Sequence, residues 1–152
     1  MERRIVETYT ASDNFFLTAM GGVFERDQLE AVAWLMSDNE IENIYVVNDT
    51  ACSFIANACA TGSIDRTDEN AGKVLATLLQ SHATQLEGLS VREKSEKLAQ
   101  LNGQRQAEVL FEDPMLVDRI KSGEIKLKGL LFDRSKVAFT EYEIQLEQVI
   151  VG

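Results

Sequence analysis

Proline is almost missing from this chain, with one in 152 residues, and cysteine and histidine are scarce at two and one. Two cysteines make no secretory disulfide framework, and a chain of this length can bury enough surface to fold without staples. A single histidine with no identified partner gives neither a catalytic triad nor a metal-ligand set. No apolar run approaches the length of a membrane span, and Met1-Glu2-Arg3-Arg4 leads into no signal-type hydrophobic segment, so the expected location is cytoplasmic. Basic residues are also few: 15 Lys and Arg against 25 Asp and Glu leave a formal charge of −10. That balance argues against nucleic acid and anionic membranes as partners, because both are gripped through cationic patches. Nor is there a G-x-G-x-x-G or Walker pattern around Gly21-Gly22, which therefore reads as a loop hinge and not a phosphate cradle.

What is present is a 45% hydrophobic content without repeats or low-complexity tracts, the composition of one compact, helix-rich domain. Residues 1–14 form an arm or edge strand, and residues 15–152 the domain itself. Phe15-Phe16-Leu17 suits a short buried strand before Gly21-Gly22. Asp27 and Glu30 suggest a helix start, with Leu29, Val32, Ala33 and Met36 at helical spacing up to Ser37-Asp38-Asn39. A strand over Ile41 to Val47 follows, and the strand, helix, strand order favours a parallel crossover. Beyond it, Gly62 predicts a helix stop and Thr67-Asp68-Glu69 a new start, with Ala71, Val74, Leu75, Leu78, Leu79 and Leu86 continuing an amphipathic stripe. Ser90 and Glu93 form an S-x-x-E capping pattern that opens a long helix toward Phe111. Asp113-Pro114 starts a short helix that Gly123 closes. Ile125 to Phe132, with Lys126 and Lys128 on a solvated face, then pairs across the turn Asp133-Arg134-Ser135-Lys136 with a strand over Val137 to Leu146, and Val149-Ile150-Val151 packs at the end.

The stretch Asn43 to Ile55 is the organising corner: a buried strand that runs through Asp49-Thr50-Ala51 into a helix. Parallel sheets place chemistry at such strand ends. Asp49 and Cys52 are the candidate catalytic residues, as general base and thiolate nucleophile. Against that stand plainer roles: helix N-capping for Asp49 and Thr50, and small core residues for Cys52 and Cys59. Cys52, Ile55, Ala56 and Cys59 share one helical face, but the two thiols lie roughly 10 Å apart along the axis, too far for one metal or a disulfide. His82 reads as a half-buried helix residue beside the leucine stripe.

Several of these patterns, in their order, resemble the β class of carbonic anhydrases. Asn102, Gln106, Asp113-Pro114, Val117, Ser122-Gly123, Ile125 to Gly129 and Phe132-Asp133 resemble that family's helix, proline-initiated helix and glycine-containing strand. Phe16 to Gly22 resembles its strand and Asn-Ala-Gly-Asn loop, Gln28 to Val32 the following helix, and Asn43 to Ser53 the strand with the His-Thr-x-Cys-Gly zinc motif. The resemblance covers roughly residues 15–145. It implies an α/β fold: a three-layer open, mainly parallel sheet flanked by helices, with an antiparallel C-terminal edge hairpin. It also implies a homodimer.

The departures from the motif bear on function. The family's zinc ligands are a cysteine in Cys-x-Asp-x-Arg, then a histidine and a second cysteine in His-Thr-x-Cys-Gly. Here Asp49 stands where the histidine would be, Thr50 and Cys52 match, Ser53 replaces the glycine, and no cysteine precedes Cys52. The remnant positions Asp49 and Cys52 are too few for a site that lowers the pKa of bound water to about 7, which takes about three fixed ligands. The expectation is a protein without zinc or any other cofactor that does not hydrate carbon dioxide and acts in regulation or interaction, its small-molecule ligand unnamed. The alternatives are an enzyme using Cys52 or Asp49, and a zinc-dependent carbonate dehydratase with an altered site.

Overall fold

The computed structural model describes Phe15, Leu17, Ala19 and residues 22–61 and 70–146. Helix α1 covers Arg26–Asp38 and leads to strand β1, Asn43–Asp49. Helices α2 (Ser53–Thr61), α3 (Asn70–Ser81), α4 (Ala83–Leu86), α5 (Val91–Leu110) and α6 (Pro114–Lys121) follow, then strands β2 (Lys126–Asp133) and β3 (Ala138–Tyr142). β1 pairs with β2 in parallel from Asn43↔Lys126 to Asp49↔Phe132, and β2 pairs with β3 antiparallel from Gly129↔Tyr142 to Asp133↔Ala138. The result is a mixed sheet flanked by helices, with the expected C-terminal hairpin.

Local chemistry accounts for most boundaries. Ser90 accepts from the Glu93 amide while the Glu93 carboxylate accepts from the Ser90 amide, so both ends of the capping box are made and α5 begins where expected. Asp113 accepts from the amides of Met115 and Leu116, Pro114 takes the first helical position, and Gly123 at φ 80° ends the segment after α6. The start of α1 differs from the sequence expectation by two residues. Its box is Glu25 with Gln28, not Asp27 with Glu30, because Gln28 Oε1 reaches the Glu25 amide at 2.7 Å. β1 runs two residues further than Val47, since its ladder with β2 continues to Asp49. β3 stops at Tyr142, four residues short of Leu146. Phe15 and Leu17 are exposed and in no strand, against the buried strand expected there; the arm 1–14, Phe16, Gly21, Gly62, the start at Thr67-Asp68-Glu69 and the segment Val149-Ile150-Val151 lie outside the described residues.

Strand alternation sends Val46, Asn48, Gly129 and Leu131 to one face of the sheet, and that face meets α5. The C-terminal half of α5 packs there with α1 and α6 around Met36, Val46, Ala107, Leu110, Leu116, Ile120 and Ile125. Its N-terminal half packs with α2 and α3 around Ile55, Ala58, Cys59, Leu75, Leu78 and Leu98, with Leu131 against them. One long helix therefore holds both apolar clusters and fixes the sheet against the helices that follow β1.

Candidate functional site

Because β1 and β2 are parallel and in register at Asp49↔Phe132, their carboxyl ends finish side by side. The turn after β1 is strapped to β2 there: the Thr50 amide and hydroxyl both donate to the Phe132 carbonyl, at 3.0 and 3.2 Å. Asp49 does not cap a helix, as its place in the sequence suggested. Its Oδ1 accepts from the Ala51 amide at 2.8 Å, an Asx turn, and the helix opens three residues later with the Ala56 amide donating to the Cys52 carbonyl. The physical reason is that the chain must turn out of the sheet before it can coil, and Asp49 is spent on that turn. Cys52 precedes α2 and is half-buried, while Cys59 is buried within it; both thiols are free. Burial pushes the Cys59 thiol up, against smaller opposing effects of Ser95 and Lys94.

The second oxygen of Asp49 is taken as well. Arg134, in the turn between β2 and β3, places Nε 2.6 Å from Asp49 Oδ2, with the Asp49 side chain 10% exposed and that of Arg134 66%. Next to it Asp133 organises the same turn, accepting from the Ser135 amide and hydroxyl and from the Lys136 amide, with Arg92 of α5 at 3.5 Å. These donors, the Ser135 hydroxyl foremost, hold the Asp133 carboxyl below the usual carboxylate range. The turn closes on Val137 at φ 51°, a left-handed conformation that costs a β-branched residue about 1–2 kcal/mol. An ion pair with one exposed partner is worth a similar amount, about 1 kcal/mol.

Behind the corner lies a buried chain of amides. Asn102 Nδ2 donates to Asn48 Oδ1 at 3.0 Å and to the Gly22 carbonyl at 3.3 Å, Gln106 donates to Asn102 Oδ1, and the Phe24 amide donates to Gln106. A Cβ on Gly22, already at φ 67°, would collide with the Asn48 carboxamide, and one on Gly103 or Gly129 would collide with Tyr142. The Asn48 Nδ2 and Tyr142 hydroxyl atoms have no hydrogen-bond partner among the described residues, and burial pushes the Tyr142 phenol up to about 12.

Of the sequence-derived candidates, Asp49 and Cys52 do share the corner. Cys59 faces the core, and His82 stands at the start of α4, lining a cavity of about 680 Å³ with Lys73, Lys97 and Tyr142. Arg134 is the residue that sequence reasoning missed; the signal was a cation in the turn after a strand that parallels β1. Asn48 was missed too, although its parity places it inside the sheet. As for a metal, the corner offers Cys52 and a carboxylate already engaged by a guanidinium, and among the described residues no three His, Cys, Asp or Glu side chains gather to hold an ion. These donors do not fit a zinc site of the three-ligand kind.

A family model described as carbonic anhydrase matches residues 3–138. Among solved structures, the β-carbonic anhydrase CafA of Aspergillus fumigatus superposes with a TM-score of 0.71 at 18% identity, over 87% of this chain and 65% of its own. A tetrameric β-carbonic anhydrase of Sordaria macrospora gives 0.68 at 21% identity, over 80% of this chain and 64% of its own. The Coccomyxa enzyme in complex with acetazolamide gives 0.71 at 15% identity, over 96% and 70%. This chain thus spans about two thirds of the length of the structures it matches. No curated protein matches it.

Proposed function

Because the chain belongs to the β-carbonic anhydrase family, we propose that it keeps the family scaffold while an internal ion pair has replaced the metal, leaving a non-catalytic protein with a regulatory or interaction role. The observation that carries this reading is the Arg134–Asp49 pair at 2.6 Å. Asp49 stands at the position of a zinc-ligating histidine, and its two oxygens are held by Ala51 and Arg134. A guanidinium supplies positive charge there but cannot bind and ionise a water as a Lewis acid does. The sequence adds to this, since Ser53 stands in place of the motif's glycine and the one histidine among these residues is His82.

An enzyme with Asp49 as general base is the weaker reading, because both of its oxygens are already engaged, one by the Ala51 amide and the other by Arg134. An active zinc enzyme would need ligands beyond Asp49 and Cys52. Assembly as a homodimer is part of the proposal: among the described residues β3 pairs with β2 alone and lies at the end of the sheet order. Among the described residues no helix is long and apolar enough to cross a membrane, and two free thiols suit a reducing compartment such as the cytoplasm.

Stopped-flow carbon dioxide hydration, on protein as purified and after addition of zinc, tests the proposal. The expected rate equals that of buffer in both cases. A zinc-dependent rate above buffer, lost on chelation, would establish an active anhydrase instead.

A further inference from the structure

We propose that Asn48, Gly103 and Tyr142 form a binding site for one internal water, which completes the buried amide chain and carries it across to β3. The sense of that chain is fixed at its start. The Phe24 amide can only donate and the Gly22 carbonyl can only accept, so Gln106 must present Oε1 to the first and Asn102 must present Nδ2 to the second. Gln106 then donates to Asn102 Oδ1, and Asn102 to Asn48 Oδ1, at 3.1 and 3.0 Å. Turning Asn48 over would set two NH2 groups against each other, so its own NH2 ends the chain as a donor. Asn48 is 3% exposed, and that donor has no acceptor among the described residues.

The Tyr142 hydroxyl, buried and equally without a described partner, lies beside it. A Cβ built on Gly103 would run into that hydroxyl and stand 3.2 Å from Asn48 Nδ2, so the two atoms border the same glycine. They are therefore no more than about 5 Å apart, yet make no direct hydrogen bond. One water with two bonds of ordinary length spans a pair about 4.5 Å apart. It accepts from Asn48 and meets the hydroxyl as donor or acceptor, which gives it the two polar partners that a buried water needs. The chemistry of the pair selects a neutral ligand: an amide and a phenol that burial pushes up to about 12, and so keeps protonated, offer no countercharge to an ion. Leaving a buried donor unmade costs more than immobilising one water, so occupancy is favoured. The water joins the entry to α1, the long helix α5, β1 and β3 in one hydrogen-bonded unit, with Asn48 next in the chain to Asp49.

This site does not depend on whether a metal binds at the corner, and two measurements on the full chain read it without an activity assay. A crystal structure of the wild type at about 1.5 Å resolution should show a separate density peak at about 2.7–3.2 Å from both Asn48 Nδ2 and the Tyr142 hydroxyl. In solution, oxygen-17 magnetic relaxation dispersion counts long-lived internal waters. Tyr142→Phe removes the hydroxyl and keeps the ring over Gly129, so it should count one water fewer than the wild type. If Tyr142→Phe does not fold, the wild-type density decides alone. Asn48 Nδ2 within about 3.2 Å of the hydroxyl, with no density between them, would overturn the site in favour of a direct bond. Equal water counts in the wild type and folded Tyr142→Phe would overturn it as well.

Discussion

The Tyr142 hydroxyl is buried against Gly103, and no described residue bonds it. Its ring is housed because Gly103 and Gly129 leave the space that side chains would fill, so the aromatic body contributes burial while the hydroxyl contributes little. Tyr142→Phe should accordingly keep stability within about 1 kcal/mol of wild type in urea titrations at neutral pH; a loss above about 2 kcal/mol would mean that the hydroxyl is strongly bonded. The pH dependence has a definite sign. The folded phenol titrates near 12, above its ordinary 10.0, so between those values the folded chain retains a proton that the unfolded chain has lost. Its contribution is complete below pH 10 and falls as pH rises toward 12, at up to about 1.4 kcal/mol per unit. The wild type should lose stability over that window faster than Tyr142→Phe, and parallel curves would contradict the burial argument.

At the scale of elements, α5 is the member on which both apolar clusters depend, and its start rests on one reciprocal cap. Ser90→Ala should cost about 1 kcal/mol in denaturant unfolding, with an unchanged midpoint as the contrary result. That cap was legible in the sequence, as were Asp113-Pro114 and the stop at Gly123, because each pattern is satisfied within a few residues of itself. The leucine stripe of α3 was legible for the same reason. The Asp27–Glu30 start was misplaced because glutamate and glutamine can form the same box two residues earlier, at Glu25 and Gln28. What sequence could not supply were the long-range pairings. Arg134 meets Asp49 across 85 residues and Asn102 meets Asn48 across 54, and neither partner is marked by local spacing. Candidate site residues could therefore be named, but the contact that decides their chemistry could not.

The whole molecule is an acidic α/β scaffold of the β-carbonic anhydrase family whose corner carries its own cation. The proposed homodimer predicts about twice the 17.0 kDa chain mass by light scattering; a monomer mass at micromolar concentration would contradict it. The central claim is that the corner has exchanged a metal for the Arg134–Asp49 pair, and it is tested most directly by counting zinc. Elemental analysis of protein purified without chelator and then dialysed against zinc should find far less than one ion per chain. One tightly held zinc per chain would contradict the account.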